Sequence, residues 1–279
     1  MEKWKRSARM VDMTQRLLDH PYTLLPLTTF AKRYQAAKSS ISEDLAIINE
    51  VLANDGSGMI ETVAGAAGGV RYIPFYKEER VETVLDEICE ELSNPVRILP
   101  GGFLYMSDLL GKPQLMRRIG KVWATVFQGQ KIDAIVTVET KGIPLAHAAA
   151  SFLQVPVVIV RYDTRVTEGS VVTVNTVSGS SRRMKQLSLA KRSLPEGSRV
   201  VIIDDFMRAG GTVKGMQELL KEFDAEVVGV GVLADAKSEV RLVRDYVSLV
   251  SVLEINEEAK TIVVDRGNAL LKEEVEMPK

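Results

Sequence analysis

"VVIIDDFMRAGGTVKG", Val200–Gly215, decides the fold. Four apolar residues run into two adjacent acids, then a loop with Gly210 and Gly211, then Thr212. The pattern predicts a strand, a tight loop and a helix that begins "VKGMQELLKEF". In open parallel α/β sheets, ligands bind beyond the carboxyl ends of the strands. Asp204 and Asp205 are expected at such an end. Gly210 and Gly211 permit close backbone approach, and a helix N-terminus offers free N–H groups and positive dipole. That half of the site suits a phosphate. The two acids would repel a phosphate; they suit hydroxyls on the same ligand, or a metal. A sugar phosphate meets both demands.

Working outward, residues 96 to about 270 alternate helix and strand. "KPQLMRRIGKVWATVFQ" reads as helix, "KIDAIVTVETKGIPLAHAAASFLQ" as strand, loop and helix, and "VPVVIVR" and "AEVVGVGVLAD" as apolar strands. "GSVVTVNTVSG" has strand-like alternation. Continuous apolar strands between helices imply a mostly parallel sheet covered on both faces. Lys141 and Gly142, at a strand end before a helix, form a second anion site.

"VVIIDDFMRAGGT" resembles the phosphoribosyl diphosphate (PRPP) motif of type I phosphoribosyltransferases, and residues 96–270 follow that fold's order. The resemblance implies that Asp204 and Asp205 hold the ribose 2- and 3-hydroxyls, with Phe206 and Met207 inside the motif. It implies that Arg208, Ala209, Gly210, Gly211 and Thr212 hold the 5-phosphate. "ETKGIPLA", Glu139–Ala146, falls where the family has its diphosphate loop, so Thr140, Lys141 and Gly142 would hold the diphosphate. Family enzymes usually have Thr where this chain has Ala209. One lost hydroxyl removes a phosphate hydrogen bond worth ~1–2 kcal/mol, which points away from turnover and toward sensing. A segment like "RYDTRVTEGSVVTVNTVSGSSRRMKQLSLAKR" closes over the site in such enzymes. It would bring Arg161 to the diphosphate and Ser178 and Gly179 to the pocket edge. Arg182, Arg183 and Lys185 suit DNA phosphates or a solvated hairpin equally well. Phe103 or Tyr105 in "LPGGFLYMSD" could stack on a ligand base, with core packing expected of one of them. No base-recognition hood is evident between residue 95 and Lys112.

Residues 1–74 read as three helices and a glycine-tipped hairpin. "RSARMVDMTQRLLDHP" places Met10, Met13, Leu17 and Leu18 at helical spacing, and Pro21 ends it. "LTTFAKRY" is a short second helix, and "SSISEDLAIINEVLAN" a third with Ile41, Leu45, Ile48 and Leu52 on one face. Ser39 and Ser42 are N-cap candidates. "MIETVAGAAGGVRYIP" supplies two short strands. This is the outline of a winged helix, whose third helix would enter the major groove. Lys38, Ser39, Ser40 and Ser42 suit base edges; Lys3, Lys5, Arg6, Arg9, Lys32 and Arg33 suit backbone phosphates; Arg71 suits a minor groove or a phosphate. The competing reading is a small helical dimerisation domain with a solvated basic face.

Net charge is −1, but residues 1–40 hold eight Lys/Arg against three Asp/Glu, a local +5. Residues 161–192 hold seven against two, again +5. Two basic zones in a near-neutral chain mark two places where anions are met. Residues 75–95 form an expected amphipathic connector helix, with Val81, Val84, Leu85, Ile88 and Leu92 on one stripe. The stripe would pack on the next domain or on a partner subunit. Cys89, the single cysteine, excludes an intrachain disulfide and reads as a small hydrophobe. His20 and His147 are too few for a metal centre, and His147 is expected to pack. No membrane-spanning run and no signal peptide are evident, so the cytoplasm is expected.

Taken whole, the chain resembles the purine operon repressor family of Gram-positive bacteria, through "KSSISEDL", "GAAGGV", "LPGG", "TKGIPLA" and "IDDFMRAGGT" in order. The resemblance implies a winged helix (1–74) before a phosphoribosyltransferase-fold effector and dimerisation domain (75–279). It implies double-stranded operator DNA as partner, a homodimer, PRPP as inducer, and guanosine tetra- and pentaphosphate (ppGpp, pppGpp) as competing co-repressors. No obligatory cofactor is expected; Mg2+ would enter only with the ligand. An enzyme with an added N-terminal domain, or an RNA-binding regulator, is the alternative.

Overall fold

A computed structural model describes residues 4–65, 68–163, 168–177 and 184–270. The chain divides into two compact units. One holds the residues up to Arg80 with Phe152–Gln154; the other holds Val81–Ser151 and Val155 onward.

The first unit contains α1 (Arg6–Asp19), α2 (Leu27–Tyr34), α3 (Lys38–Asp55), β1 (Met59–Val63) and β2 (Gly69–Ile73). Gln35, with φ of 51°, turns the chain between α2 and α3. β1 and β2 pair antiparallel, and Leu25 bridges to Val70, adding a third short rung. The apolar faces meet in one core: Met13, Leu17, Phe30, Tyr34, Ile41, Leu45, Ile48 and Tyr72 are all buried. This is the expected winged helix. Of the expected stripe on α1, Leu18 is the exception, with 39% of its surface exposed. α3 begins earlier than the serine caps require: Ala37 is the N-cap, its carbonyl accepting from Ile41 N–H at 3.1 Å. Ser39 and Ser42 are therefore already helical, and the Ser42 hydroxyl donates to the Lys38 carbonyl.

The second unit begins in α4 (Glu78–Leu92), whose stripe of Val81, Val84, Leu85, Ile88 and Leu92 is buried as its spacing demands. Then come β3 (Ile98–Leu99), β4 (Phe103–Leu104), α5 (Ser107–Leu110), α6 (Pro113–Val126), β5 (Ala134–Val138), α7 (Gly142–Leu153) and β6 (Val157–Val160). β7 (Val171–Val177), β8 (Met184–Ala190), β9 (Arg199–Met207), α8 (Gly211–Lys221), β10 (Glu226–Ala236), β11 (Val247–Asn256) and β12 (Thr261–Arg266) complete it. The main sheet has six strands in the order β12-β11-β10-β9-β5-β6. All its pairs are parallel except β11 with β12. Every residue of β5 is buried, as a strand covered on both faces must be. The β7–β8 hairpin packs on α8, where a Cβ on Gly215 would press on Leu187 and Thr176 at 2.8 Å.

The order of the strands sets the site. β6 lies on one side of β5 and β9 on the other, so the crevice opens between β5 and β9. β5 and β9 last pair at Val136 and Ile202, whereas β9 continues beside β10 as far as Met207. Asp204 and Asp205 thus lie within the extended end of β9, on a stretch that has lost its β5 neighbour.

Candidate functional site

A cleft of about 210 Å3 opens at this crevice. Its wall takes in Asp204, Asp205, Phe206, Met207, Arg208, Ala209, Gly210, Gly211 and Thr212, together with Lys141 and Phe103. Eleven residues expected from sequence therefore share one cavity.

Gly210 is the N-cap of α8 with φ of +85°, a left-handed conformation that favours glycine. No side chain caps α8 and its first turn carries no acid, so its amide groups face the cleft with their positive dipole. Ala209 is buried, and its carbonyl accepts from Leu242 N–H at 2.8 Å. Gly142 starts α7 against the end of β9. A Cβ there would overlap Thr137 Oγ1 and lie 3.2 Å from Asp204 Oδ1, so only glycine allows α7 to begin here. Thr140 and Gly142 flank the Lys141 wall, and the Glu139–Thr140 peptide is cis.

Asp204 is 4% exposed, and its Oδ1 accepts from Asp205 N–H at 2.9 Å. Burial pushes its carboxyl well above the usual range, and the charge of Asp205 pushes it further. Burial raises Asp205 as well, opposed by its hydrogen bond with Asp204 and by the charge of Lys141. Among the described residues neither acid forms an ion pair. Tyr162 closes the same corner: burial and Asp204 raise its phenol, while a hydrogen bond with Thr212 lowers it. No sequence signal marked Tyr162, whose place depends on β6 lying beside β5.

Arg161 lies outside the cleft. Its guanidinium donates to Glu139 Oε2 at 3.1 Å and lies 3.4 Å from Glu168. Glu139 also accepts from Tyr162 N–H at 2.9 Å, so it ties the end of β5 to the end of β6. Ser178, Gly179, Arg182 and Arg183 lie outside the described residues. Phe103 is 60% exposed and Tyr105 44%, so neither packs in the core; Leu104 and Met106 take the buried alternation between them. The β3–β4 hairpin and the residues after it give the cleft a wall of Gly102, Phe103, Leu104 and Met106, of which only Phe103 was expected from sequence. Arg97 anchors that wall from below, donating to Asp108, Glu91 and the Tyr105 carbonyl. His147 is exposed on α7 rather than packed. Burial lifts the Cys89 thiol to about 11, which fits an inert residue.

In the winged helix, several of the expected phosphate contacts have acidic partners of their own. Arg6 donates to Asp44 at 2.8 Å, and Arg9 binds its other oxygen. Arg33 grips Asp12 with two hydrogen bonds and lies 5.6 Å from the Trp4 ring. Arg71 pairs with Glu61 across the β1–β2 ladder. These arginines hold helices and strands together, because each lies opposite an acid that the fold has brought near. Lys5, Lys32 and Lys38 are exposed with no ion pair among the described residues, as are Ser39 and Ser42; Ser40 is half-buried beside them. Lys3 lies outside the described residues. α1, α2 and α3 all start without a side-chain cap or a first-turn acid, which suits a polyanion. Among the described residues no helix is long and apolar enough to cross a membrane.

The family described as bacterial purine repressor, N-terminal, matches residues 5–74, and the phosphoribosyl transferase domain family matches residues 106–267. The purine biosynthesis transcriptional repressor of Bacillus subtilis is 54% identical over 96% of this chain and 94% of its own length. A probable purine biosynthesis transcriptional regulator of Streptococcus pneumoniae is 48% identical over 95% of this chain and 98% of its own. A purine biosynthesis transcriptional activator of Lactococcus lactis is 46% identical over 95% of this chain and 98% of its own. These relatives are named as transcription regulators, not enzymes, although this chain matches the transferase domain family. The chain belongs to the bacterial purine repressor family, a winged helix joined to a phosphoribosyltransferase-fold domain.

Proposed function

We propose that this protein is a DNA-binding transcriptional repressor of purine biosynthesis genes, released from its operator by PRPP. The observation that carries the effector half is the buried Asp204–Asp205 pair, which forms no ion pair among the described residues, beside an uncapped helix N-terminus. Carboxylates in that setting accept hydrogen bonds from ligand hydroxyls, and the amides of Gly211 and Thr212 receive a phosphate. One ligand that carries both, with a diphosphate to meet Thr140, Lys141 and Gly142, is PRPP. Guanosine tetra- and pentaphosphate would compete for the same cleft as co-repressors, their phosphates on the same amides and their base beside Phe103. Mg2+ enters with the ligand in this reading, since it is held by one or two carboxylates and substrate phosphates rather than by a protein cage.

The DNA half is supported by the exposed Lys5, Lys32 and Lys38 and the serines at the start of α3, residue types that meet phosphates and base edges. The protein acts as a homodimer, and PRPP shifts it from its DNA-competent state by linkage between the two sites. The sign of regulation follows the Bacillus relative; the Lactococcus relative, named an activator, is the reason to test it by transcription in vitro. Fluorescence anisotropy of a labelled operator duplex tests the whole reading. PRPP should release the wild-type protein and fail to release Asp204→Ala/Asp205→Ala. Release of the double variant at the same PRPP concentration would contradict the site, and indifference of the wild type would contradict the effector.

A further inference from the structure

Thr137 is the single polar residue in β5, "AIVTV", and it is fully buried. Its hydroxyl oxygen has no hydrogen-bond partner in the described structure. A buried hydroxyl left unmet is costly, and Val would fill the same space without that cost. The position is specific. Thr137 pairs with Ile159 of β6, and it is the first residue of β5 beyond the last pairing with β9. Its Oγ1 lies against the starting glycine of α7, at the point that is also 3.2 Å from Asp204 Oδ1.

We propose that Thr137 is a positioning residue for the effector site: its hydroxyl turns to donate to Asp204 when a ligand ribose is held, and keeps that carboxylate aimed at the ribose hydroxyls. The inference rests on the reading of the cleft as a PRPP site. Around Asp204 the charged and titratable groups are Asp205 on β9, Glu139 and Lys141 after β5, and Tyr162 after β6, while the first turn of α8 brings no acid. Among the described residues Lys141 is the cation whose charge acts on Asp205, and Arg208 lines the same cleft. Thr137 is thus a side chain able to offer Asp204 a donor, its Oγ1 and Asp204 Oδ1 both lying against the starting glycine of α7.

A hydrogen bond to a carboxylate is roughly twice as strong as one to its neutral acid. The wild-type advantage over Thr137→Val should therefore be largest where Asp204 is ionised in the complex, and shrink as pH falls. Calorimetry of PRPP binding to the full chain, from pH 5.5 to 8.5, reads this directly, because titration of the ligand itself cancels between variants. The expected result is about tenfold weaker binding for Thr137→Val at the alkaline end. The difference should narrow toward acid, Thr137→Ser should bind like wild type, and the Thr137→Val melting temperature should be unchanged or higher. Equal affinity for Thr137→Val, a pH-independent difference, no recovery by Thr137→Ser, or a lower melting temperature would each overturn the proposal. If the wild type itself does not bind PRPP, the failure lies in the effector reading instead.

Discussion

Two buried aspartates show how differently the same residue is used. Asp44 in α3 has no exposure and is met by two guanidiniums, Arg6 and Arg9. Burial alone would raise its carboxyl, but the hydrogen bonds from Arg9 and Arg6 outweigh that and hold it low. Asp204 in β9 is almost as buried, yet among the described residues the charge that acts on it is another carboxylate, Asp205, and it is pushed well up. The first is finished by the fold. The second is left for something that arrives. A protein keeps an uncompensated buried acid where function requires it, since such sites lower stability.

The comparison can be broken most sharply at Asp44. Asp44→Ala leaves Arg9 partly buried without its partner, and should cost the winged-helix unit about 3 kcal/mol in urea denaturation. A loss under about 1 kcal/mol would show that the pair is ornamental. Gly142→Ala tests the packing against Asp204: a methyl that must displace Thr137 or Asp204 should cost about 2 kcal/mol and weaken ligand binding with it. Asp204→Asn should run the other way, stabilising the effector unit by about 1 kcal/mol without ligand, because a buried charge is removed while the shape stays. Destabilisation by that change would mean Asp204 is structural, as Asp44 is.

The smallest effect is a difference in pH slope. Asp44 is lowered in the folded state, so its contribution is full above the unfolded value of about 3.9 and is lost as pH falls through the folded value. Asp204 is raised, so the folded state favours its proton. Its contribution is present below about 3.9 and is lost as pH rises through the folded value. As pH rises above about 3.9 the effector unit should therefore weaken without ligand while the winged helix holds steady. Trp4 lies in one unit and Trp123 in the other, so denaturation of Trp4→Phe and Trp123→Phe variants reads the units separately. Parallel slopes would remove the distinction.

The same contrast explains what could be read from the chain. "VVIIDDFMRAGGT" is contiguous: strand, acids, glycine loop and helix start follow one another, so local physics nearly suffices to assemble them. The core stripes of α3 and α4 were legible for the same reason, through their period. What escaped were meetings across long separations. Asp44 lies 38 residues from Arg6, and Asp12 lies 21 from Arg33. Nothing in a basic run tells which arginines will find an acid once helices cross, so the run looked freer for phosphates than it is. The β3–β4 wall, Tyr162 and the pairing of Arg161 with Glu139 also depend on tertiary placement. Thr137 did leave a trace, one hydroxyl in an apolar strand, but its partnerless state appears only when α7 and β9 close around it.

The central claim is that the Asp204–Asp205 pair is unfinished until it holds a ribose. Calorimetric titration of PRPP into the wild type and into Asp204→Asn/Asp205→Asn tests it most directly. Each lost charged hydrogen bond is worth roughly 1.5–3 kcal/mol, and the account predicts at least about a hundredfold weaker binding for the double variant. Affinity equal to that of the wild type would contradict it.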